Sequence, residues 1–256
     1  MKKIINMCRG AMRFHLVEKT DTGNVRKRNE DFLGKHRNKE LNACLFCVAD
    51  GMGGYGLGDV ASQLVVKGIL DDFAETVKID YPIREWVIHL FNRAEDRLRS
   101  YRQKNNITRF GTTLATVFFM KDVTVCANVG DTRIYSLDAG SMIQESHDHT
   151  LVNQMLQAGQ ITMEEAHTHP NRHMLTLALT GERETIEPYI SIWPFDPVRT
   201  YLLASDGLYN MVEESLITRT LTQNSPDEAS DQLFNYALEN GATDNVTFQI
   251  IKPRGE

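Results

Sequence analysis

The sequence of 256 residues contains only four cysteines and no apolar run approaching the ~18 residues that a membrane-spanning helix needs. So few cysteines in a chain of this length predict reduced thiols rather than a disulfide framework. Residues 1–10 include two lysines, but no sustained apolar stretch follows them as it would in a signal peptide. We therefore expect a cytoplasmic protein that does not act on a membrane.

Positive charge is also scarce, because 28 Lys and Arg residues face 34 Asp and Glu residues, a net charge of −6. A nucleic-acid surface needs clustered positive charge to displace counterions, so no nucleic-acid partner is expected. One basic cluster does occur on the polar side of the helix predicted near residues 83–101, and a solvated helix face is its expected role. Its members are Arg93, Arg97, Arg99, Arg102 and Lys104.

No internal repeat, low-complexity tract or Pro/Gly-rich linker divides the chain. The apolar fraction of 41% and the charged fraction of 24% are close to the averages of globular proteins. We expect a single domain over residues 13–252, preceded by a short extension at residues 1–12.

Cys44 and Cys47 form a C-x-x-C pattern, which a redox pair or half of a zinc site would also show. They lie inside the apolar run 41–49, which predicts a buried strand. Residues three apart in a strand point to opposite faces, so their sulfur atoms would not share a ligand. Buried core thiols are therefore the expected interpretation.

Predicted strands come in runs joined by short turns, and predicted helices come in pairs. The strands are expected at 13–18, 41–49, 111–120, 123–129, 132–137, 141–145, 186–193, 199–204 and 245–251. The helices are expected at 59–73, 83–101, 213–222 and 226–240, with short helices within 149–166. Strict alternation of strand and helix, typical of a parallel sheet, is missing, so antiparallel sheets covered by helix pairs fit better.

Acidic residues recur where an apolar strand runs into a turn containing Gly or Asn. Asp50, Asp131, Asp206 and Asp244 occupy such positions, and the pair Glu30 and Asp31 precedes a short predicted strand. A single Asp before Gly or Asn is most often an ordinary turn residue. Four of them after apolar strands instead indicate converging carboxylates, whose repulsion a hard cation such as Mg²⁺ or Mn²⁺ relieves.

A glycine-dense loop occupies residues 50–58, with the sequence DGMGGYGLG. It does not match the G-x-x-x-x-G-K-[ST] of a phosphate-binding loop or the spacing of a dinucleotide-binding fingerprint. Glycines here would let main-chain carbonyls approach a cation and let a substrate come close to the backbone.

Six motifs in order carry a resemblance to a known family. They are RKRNED at 26–31, DGMGG at 50–54, GTT at 111–113, GDTR at 130–133, SDGL at 205–208 and TDNV at 243–246. Their order resembles that of metal-dependent protein phosphatases of type 2C, in particular the compact bacterial branch. The resemblance spans residues 13–251.

The resemblance implies an α+β fold, in which two packed antiparallel sheets are flanked by helix pairs in a four-layer αββα sandwich. A small helical flap is expected at about residues 149–180. The implied activity is protein-serine/threonine phosphatase activity, in which water activated by two Mn²⁺ or Mg²⁺ ions attacks the phosphate without a phosphoenzyme intermediate. The implied partners are phosphorylated Ser/Thr proteins, among them a cognate Ser/Thr kinase and its substrates.

Roles are implied for individual positions as well. Asp50 would bridge the two ions, the Gly51 carbonyl would add an oxygen to one, and Asp206 and Asp244 would complete the other. Asp131 would belong to a third, more weakly held ion. The remaining implied residues are Glu30 and Asp31, which would hold water molecules around the metals, and Arg26, which would bind the phosphate oxygens.

The chain departs from the family pattern at several positions. Met52 stands where animal relatives carry a His proposed as general acid. Asn210 stands where a second Asp often serves the third metal, and Leu177 replaces a frequent Arg. Thr180 looks like an added residue before Gly181. These departures concern substrate recognition and the third ion rather than the two-metal core.

Two other hydrolase classes are excluded by missing motifs: no C-x5-R of cysteine phosphatases and no G-x-S-x-G of serine hydrolases occurs. A catalytically silent relative that binds phosphoproteins is the alternative from another functional class. Such a relative would be expected to have lost metal-ligand carboxylates, whereas Asp50, Asp206 and Asp244 are all in place.

Overall fold

The computed structural model describes residues 12–53 and 56–254, which form twelve strands and seven helices. The strands are β1 Arg13–Asp21, β2 Phe32–Asn38, β3 Ala43–Ala49, β4 Gly51–Gly53, β5 Phe110–Thr112, β6 Leu114–Phe119, β7 Val123–Val129, β8 Arg133–Asp138, β9 Ser141–Gln144, β10 Tyr189–Pro194, β11 Thr200–Ala204 and β12 Val246–Arg254. The helices are α1 Gly58–Glu75, α2 Ile83–Asn105, α3 Leu151–Gln157, α4 Met163–Thr168, α5 Asp206–Tyr209, α6 Glu214–Gln223 and α7 Pro226–Glu239.

Two five-stranded antiparallel sheets make up the centre of the molecule. The first sheet has the order β1-β12-β11-β8-β9 and the second the order β10-β7-β6-β3-β2, while β4 and β5 form a separate ribbon. Strands β1 and β12 pair along their whole length, from Arg13 opposite Arg254 to Asp21 opposite Val246. The predicted antiparallel α+β class is confirmed.

Three apolar clusters separate four layers. One lies between the α1–α2 pair and the second sheet, one between the two sheets, and one between the first sheet and the α6–α7 pair. In β3, Leu45 belongs to the helix-facing cluster and Phe46 to the cluster between the sheets. Because both faces of the strand are covered, β3 is apolar without alternation.

The two cysteines of the C-x-x-C pattern lie on opposite faces of β3, as predicted. Cys44 faces the cluster between the sheets and Cys47 the helix-facing cluster. Burial raises the pKa of Cys44 to about 11 and also raises those of Cys47 and Cys126. All three are free and buried, whereas Cys8 lies outside the described residues.

Two predicted elements differ from the structure. The single strand expected at 111–120 is divided at Thr113, because the Thr113 amide leaves the strand ladder and donates to the Asp50 carbonyl at 2.9 Å. Its first part, β5, pairs with β4 instead, and neither β4 nor the one-turn helix α5 was predicted. Strand β10 begins at Tyr189 rather than at 186.

The basic cluster predicted as a solvated helix face is solvated only in part, since Arg93 and Lys104 are exposed and the other three arginines are half-buried. Arg93 and Arg97 both bind the buried Asp72 of α1, with Arg97 in a two-point contact at 2.5 and 2.6 Å. Arg99 pairs with Asp96, and Arg102 pairs with Glu182. These arginines are structural because each one meets a carboxylate, while Lys104 is exposed.

Short helices α3 and α4 follow the first-sheet hairpin, in the region predicted as a flap. Thr150 caps α3 and Thr162 caps α4, the latter in a reciprocal capping box with Glu165. The two helices bury none of their residues, and an isolated bridge between Thr150 and Leu175 joins the two ends of the region. No helix of the described residues is long and apolar enough to cross a membrane.

Candidate active site

Most of the predicted acidic residues meet in one cavity of about 560 Å³. Asp50 follows β3 and Asp131 follows β7, both in the second sheet, whereas Asp206 follows β11 and Asp244 precedes β12 in the first sheet. Because each lies next to the end of a strand, the cavity lies where strand ends of the two sheets meet. The described residues that line it are Arg26, Glu30, Asp50, Gly51, Met52, Gly53, Thr113, Asp131, His173, Leu175, Thr176, Leu177, Ala178, Thr180, Glu182, Arg183, Asp206, Asp244 and Asn245.

Asp50 is fixed by its main chain. Its amide donates to the Thr113 hydroxyl at 2.9 Å, and its carbonyl accepts from the Thr113 amide, also at 2.9 Å. The next residue must be glycine, since a Cβ at Gly51 would lie 2.1 Å from the Gly58 carbonyl oxygen and 2.5 Å from that of Glu30. Gly51 and Gly58 therefore serve close main-chain packing beside the Asp50 carboxylate.

Asn245 organises the loop that carries Arg26 and Glu30. Its side-chain oxygen accepts from the Glu30 amide at 2.8 Å, and its side-chain nitrogen donates to the carbonyls of Thr22 and Arg28 at 2.9 Å. Glu30 in turn accepts from the Gly58 amide at 3.2 Å, at the start of α1. One buried amide thus joins a first-sheet strand end to the loop before β2.

The carboxylates repel one another. Burial, and then the charges of Asp31, Asp206, Asp131 and Asp244, raise the pKa of Asp50 well above its ordinary value. Burial, followed by the charges of Asp206 and Asp148, raises the pKa of Asp131 to about 7. A positive charge in the cavity would relieve this repulsion.

Asp31 lies behind the cavity rather than on its surface. It is 6% exposed and accepts a hydrogen bond from the Ser205 hydroxyl at 2.8 Å. Burial raises its pKa to about 7, although the Ser205 bond acts in the opposite direction. Its position beside Ser205 links the end of β11 to the start of β2.

Arg26 donates to Asp244 in this structure, with its Nη2 atom 2.6 Å from Oδ2. This bond is the largest of the effects that raise the pKa of Arg26. The Arg26 side chain is 52% exposed at the cavity. Arg26 therefore stands beside a predicted metal ligand, close to the predicted phosphate site.

The cavity suits a hard cation, since six of its lining residues carry carboxylates. Asp206 Oδ1 and Asp31 Oδ1 are buried and have no hydrogen-bond partner. No three His, Cys, Asp or Glu side chains of residues 12–53 and 56–254 are already arranged around a single ion position. The carboxylates thus line the cavity without forming a closed ligand cage.

Asp131 is supported from the first sheet. The Tyr209 hydroxyl donates to its carbonyl at 2.9 Å, and the Arg133 guanidinium stacks 3.9 Å from the Tyr209 ring centre. Asn210, one turn after Asp206, is exposed, and its side-chain nitrogen lies 3.2 Å from Asp206 Oδ2. Asn210 therefore contacts Asp206, which lines the cavity, but does not line the cavity itself.

Three ionisable residues of the lining were not among the predicted site residues: His173, Glu182 and Arg183. His173 Nδ1 lies 3.7 Å from Asp206 Oδ2, and this contact is the first of the effects that raise the pKa of His173. They lie in a stretch without periodicity or motif, and no signal in the sequence marks them. Met52 and Leu177, two of the departures noted above, line the same cavity.

Residues 24–240 match the family model described as protein phosphatase 2C. The serine/threonine phosphatase stp of Listeria welshimeri is 35% identical over 242 residues, which cover 93% of this chain and 95% of that protein. Among solved structures, the serine/threonine phosphatase Stp1 from Staphylococcus aureus superposes with a TM-score of 0.88 at 32% identity, covering 98% of this chain and 99% of that one.

A second solved structure is the catalytic domain of the serine/threonine protein phosphatase PstP, which is in complex with two manganese ions. It has a TM-score of 0.82 and 28% identity, and covers 96% of this chain and 100% of that chain. The family model covers most of the chain, and the relatives match it at nearly full length. The chain therefore belongs to the protein phosphatase 2C family.

Proposed function

We propose that this chain hydrolyses phosphoserine and phosphothreonine in proteins with the help of two Mn²⁺ or Mg²⁺ ions. The observation that carries the proposal is the meeting of four strand-end aspartates from both sheets in one cavity beside Arg26. Carboxylate oxygens are the ligands that these hard cations prefer. Family membership and the names of the relatives support the same activity.

Asp50 would be a ligand of both ions, the Gly51 carbonyl would add an oxygen to one of them, and Asp206 and Asp244 would complete the protein ligands of the other. Asp131 would serve a third ion. When bound, such ions lower the pKa of water and offset the charge of a phosphoryl group during in-line transfer. Glu30 and Asp31 would hold water around them.

Arg26 would bind the phosphate. Its planar guanidinium presents parallel N–H donors that match two phosphate oxygens. Its bond to Asp244 keeps the side chain at the cavity, where the incoming phosphate and the carboxylate would share its nitrogen atoms. The ground for this role is the position of Arg26. It lies on the loop that Asn245 holds against the cavity, and its side chain donates to the lining carboxylate of Asp244.

Attack by water rather than by a thiol agrees with the state of the cysteines. Cys44, Cys47 and Cys126 lie in strands, and burial raises the pKa of each. None of them lines the cavity. A silent phosphoprotein-binding relative is the alternative, and no observation favours it, because every predicted carboxylate is present.

The catalytic domain would comprise residues 13–252, with residues 149–180 as a flap at the cavity. Its substrates would be phosphorylated Ser/Thr proteins, including a cognate Ser/Thr kinase and the targets of that kinase in the cytoplasm. The position of His173 and residues 175–180 along the cavity wall supports a role of this region in substrate contact.

The test is phosphate release from a phosphothreonine peptide by EDTA-treated protein, with and without added Mn²⁺. We expect turnover only with Mn²⁺, and we expect Asp206→Ala and Asp244→Ala each to reduce it by more than about 100-fold, because each removes a hard ligand. Circular dichroism verifies that the variants are folded.

Asp71→Ala is the matched control, because Asp71 is exposed on α1 and does not line the cavity. It should keep the wild-type rate. Retention of more than about a tenth of that rate by either Asp206→Ala or Asp244→Ala would overturn the assignment of that residue. Turnover in EDTA equal to that in Mn²⁺ would overturn the metal-dependent mechanism.

A further inference from the structure

One wall of the cavity is a chain segment, residues 175–183, that ends in a tight turn against α2. Leu179 pairs with Thr112 through two main-chain hydrogen bonds of 2.8 and 3.0 Å. Gly181 then adopts a φ of +73°, and a Cβ there would lie 2.5 Å from the Arg99 amide nitrogen. The turn is therefore packed directly on the helix, and Arg183 emerges from it at the rim of the cavity.

Glu95 holds this turn from below. Its side chain is fully buried in α2, and its two oxygens accept from the amides of Thr180 at 2.9 Å and Arg183 at 3.0 Å. Arg99 additionally donates to the Arg183 carbonyl. Because three main-chain groups of the turn are bound, the fold defines the position of Arg183 at the rim.

Two ion pairs next to Arg183 do not include its side chain. Glu182 pairs with Arg102, and Arg99 pairs with Asp96. Across the cavity, Arg26 pairs with Asp244. Among residues 12–53 and 56–254, the Arg183 side chain has no hydrogen bond or ion pair of its own, although it is exposed on a cavity wall.

We infer that Arg183 is an anion-binding subsite for the substrate, which selects phosphoproteins with a carboxylate or a second phosphate near the residue that is dephosphorylated. The inference rests on the proposed function, and it deepens it by naming a substrate class. The reacting phosphate would contact Arg26 and the aspartates, so a second anion on the same chain would reach the unpaired guanidinium at the rim. The acidic side chains of the cavity would repel an acidic flanking residue that does not reach Arg183.

The test uses a set of peptides with one phosphothreonine and otherwise neutral residues. A single Asp is placed in turn at each of three positions on either side. In a parallel set, a phosphoserine analogue with a non-hydrolysable phosphonate replaces the Asp, so that only one phosphate is released. We expect at least one position to raise kcat/KM about three- to fivefold over the neutral peptide, the size of a partly exposed ion pair.

Variants assign that preference to Arg183. Arg183→Gln should abolish it, and Arg183→Glu should reverse it toward peptides with Lys at the same position. Arg183→Lys should keep the preference for Asp but lose part of that for the phosphonate, because an ammonium lacks the two-point fork. The matched control is Arg219→Gln, which changes an exposed arginine of α6 outside the cavity and should behave as wild type.

The outcomes separate the inference from the function it rests on. If no peptide releases phosphate with Mn²⁺, the proposed function fails. If all peptides react at one rate, or if the preference for an acidic peptide survives in both Arg183→Gln and Arg183→Glu, the anion subsite is overturned. A preference for Asp identifies the ligand as a carboxylate, and a preference confined to the phosphonate identifies it as a second phosphate.

Discussion

Arg26 connects the predicted phosphate site to the predicted metal ligands through a single hydrogen bond to Asp244. A lysine at this position would keep the positive charge but would lose the planar set of donors that contacts both groups. Such a change should therefore weaken substrate binding more than it slows the chemical step.

We expect Arg26→Lys to raise KM by about tenfold while kcat changes by less than about threefold. Steady-state kinetics with a phosphothreonine peptide at saturating Mn²⁺ measures both constants. A collapse of kcat at unchanged KM would instead assign Arg26 to the stabilisation of the transition state alone.

Asp131 makes the stability of the protein depend on pH, because burial raises its pKa in the folded protein to about 7. In the unfolded chain its pKa is ~3.9, so the native state binds more protons than the unfolded state between these values. The contribution of this residue to stability therefore decreases as pH rises from about 4 to 7. Above that range the charge is buried among other carboxylates at its full cost.

Asp131→Asn should accordingly stabilise the metal-free protein at pH 8, by roughly 1 kcal/mol or about 2–4 °C in melting temperature. The gain should shrink toward pH 5, where the native aspartate is protonated. Thermal melts in EDTA at both pH values measure it. A variant that melts lower than wild type at pH 8 would show that the carboxylate is stabilising as it stands.

At the scale of elements, the α1–α2 pair is joined by Asp72, whose side chain is 5% exposed between Arg93 and Arg97. The two arginines are 48% and 29% exposed, so water reaches them if the carboxylate is removed. Loss of the contact therefore costs less than the loss of one partner from a fully buried pair.

Asp72→Ala should lower the free energy of unfolding by roughly 2–3 kcal/mol, with kcat unchanged, because the helix pair lies on the side of the second sheet opposite the sheet interface. Urea denaturation measures the difference. The neighbouring Asp71→Ala, on the exposed face, should stay within about 0.5 kcal/mol of wild type. Equal effects of the two variants would contradict a specific role of the Asp72 contact.

Asp206 begins the short helix α5 and Asn210 caps its end, so the Asn210 amide lies against the Asp206 carboxylate. An amide at this place brings no negative charge to the third ion that Asp131 is proposed to hold. The third site should therefore bind more weakly than an all-carboxylate site.

Asn210→Asp should lower the Mn²⁺ concentration for half-maximal rate by about two- to fivefold, since the new charge is partly exposed. Asp131→Ala should raise that concentration. Titration of both variants with Mn²⁺ decides the matter. If neither value moves, a third ion has no part in the reaction of this chain.

At the scale of the whole molecule, the sequence predicts those features of the fold and the site that depend on residues close together in the chain. Apolar strands that end in Asp and a turn residue marked Asp50, Asp131 and Asp206. The same expectation is wrong for Asp244, which follows helix α7 and precedes β12. The apolar run of β3 marked a strand buried on both sides. The six ordered motifs then indicated the sandwich, which the structure and the relatives confirm.

What could not be predicted depends on residues far apart in the chain. Nothing around Glu95 indicates that its oxygens meet amides 85 and 88 positions later. The arginines of α2 looked solvated because Asp72 lies on another helix, and the division at Thr113 requires the Asp50 carbonyl. Such contacts arise only when elements pack, so local patterns carry no trace of them.

Strands β1 and β12 are neighbours in one sheet although about 230 residues separate them. During synthesis on the ribosome, the strands of the second sheet, within residues 32–194, all emerge before β12. Strand β1 has no partner until β12 has been translated. Pulse-labelled hydrogen exchange during refolding should protect the amides of β6 and β7 before those of β1. We therefore expect a nascent chain stopped before Asp244 to release no phosphate, because the turn that would complete the proposed metal ligands has not yet been translated.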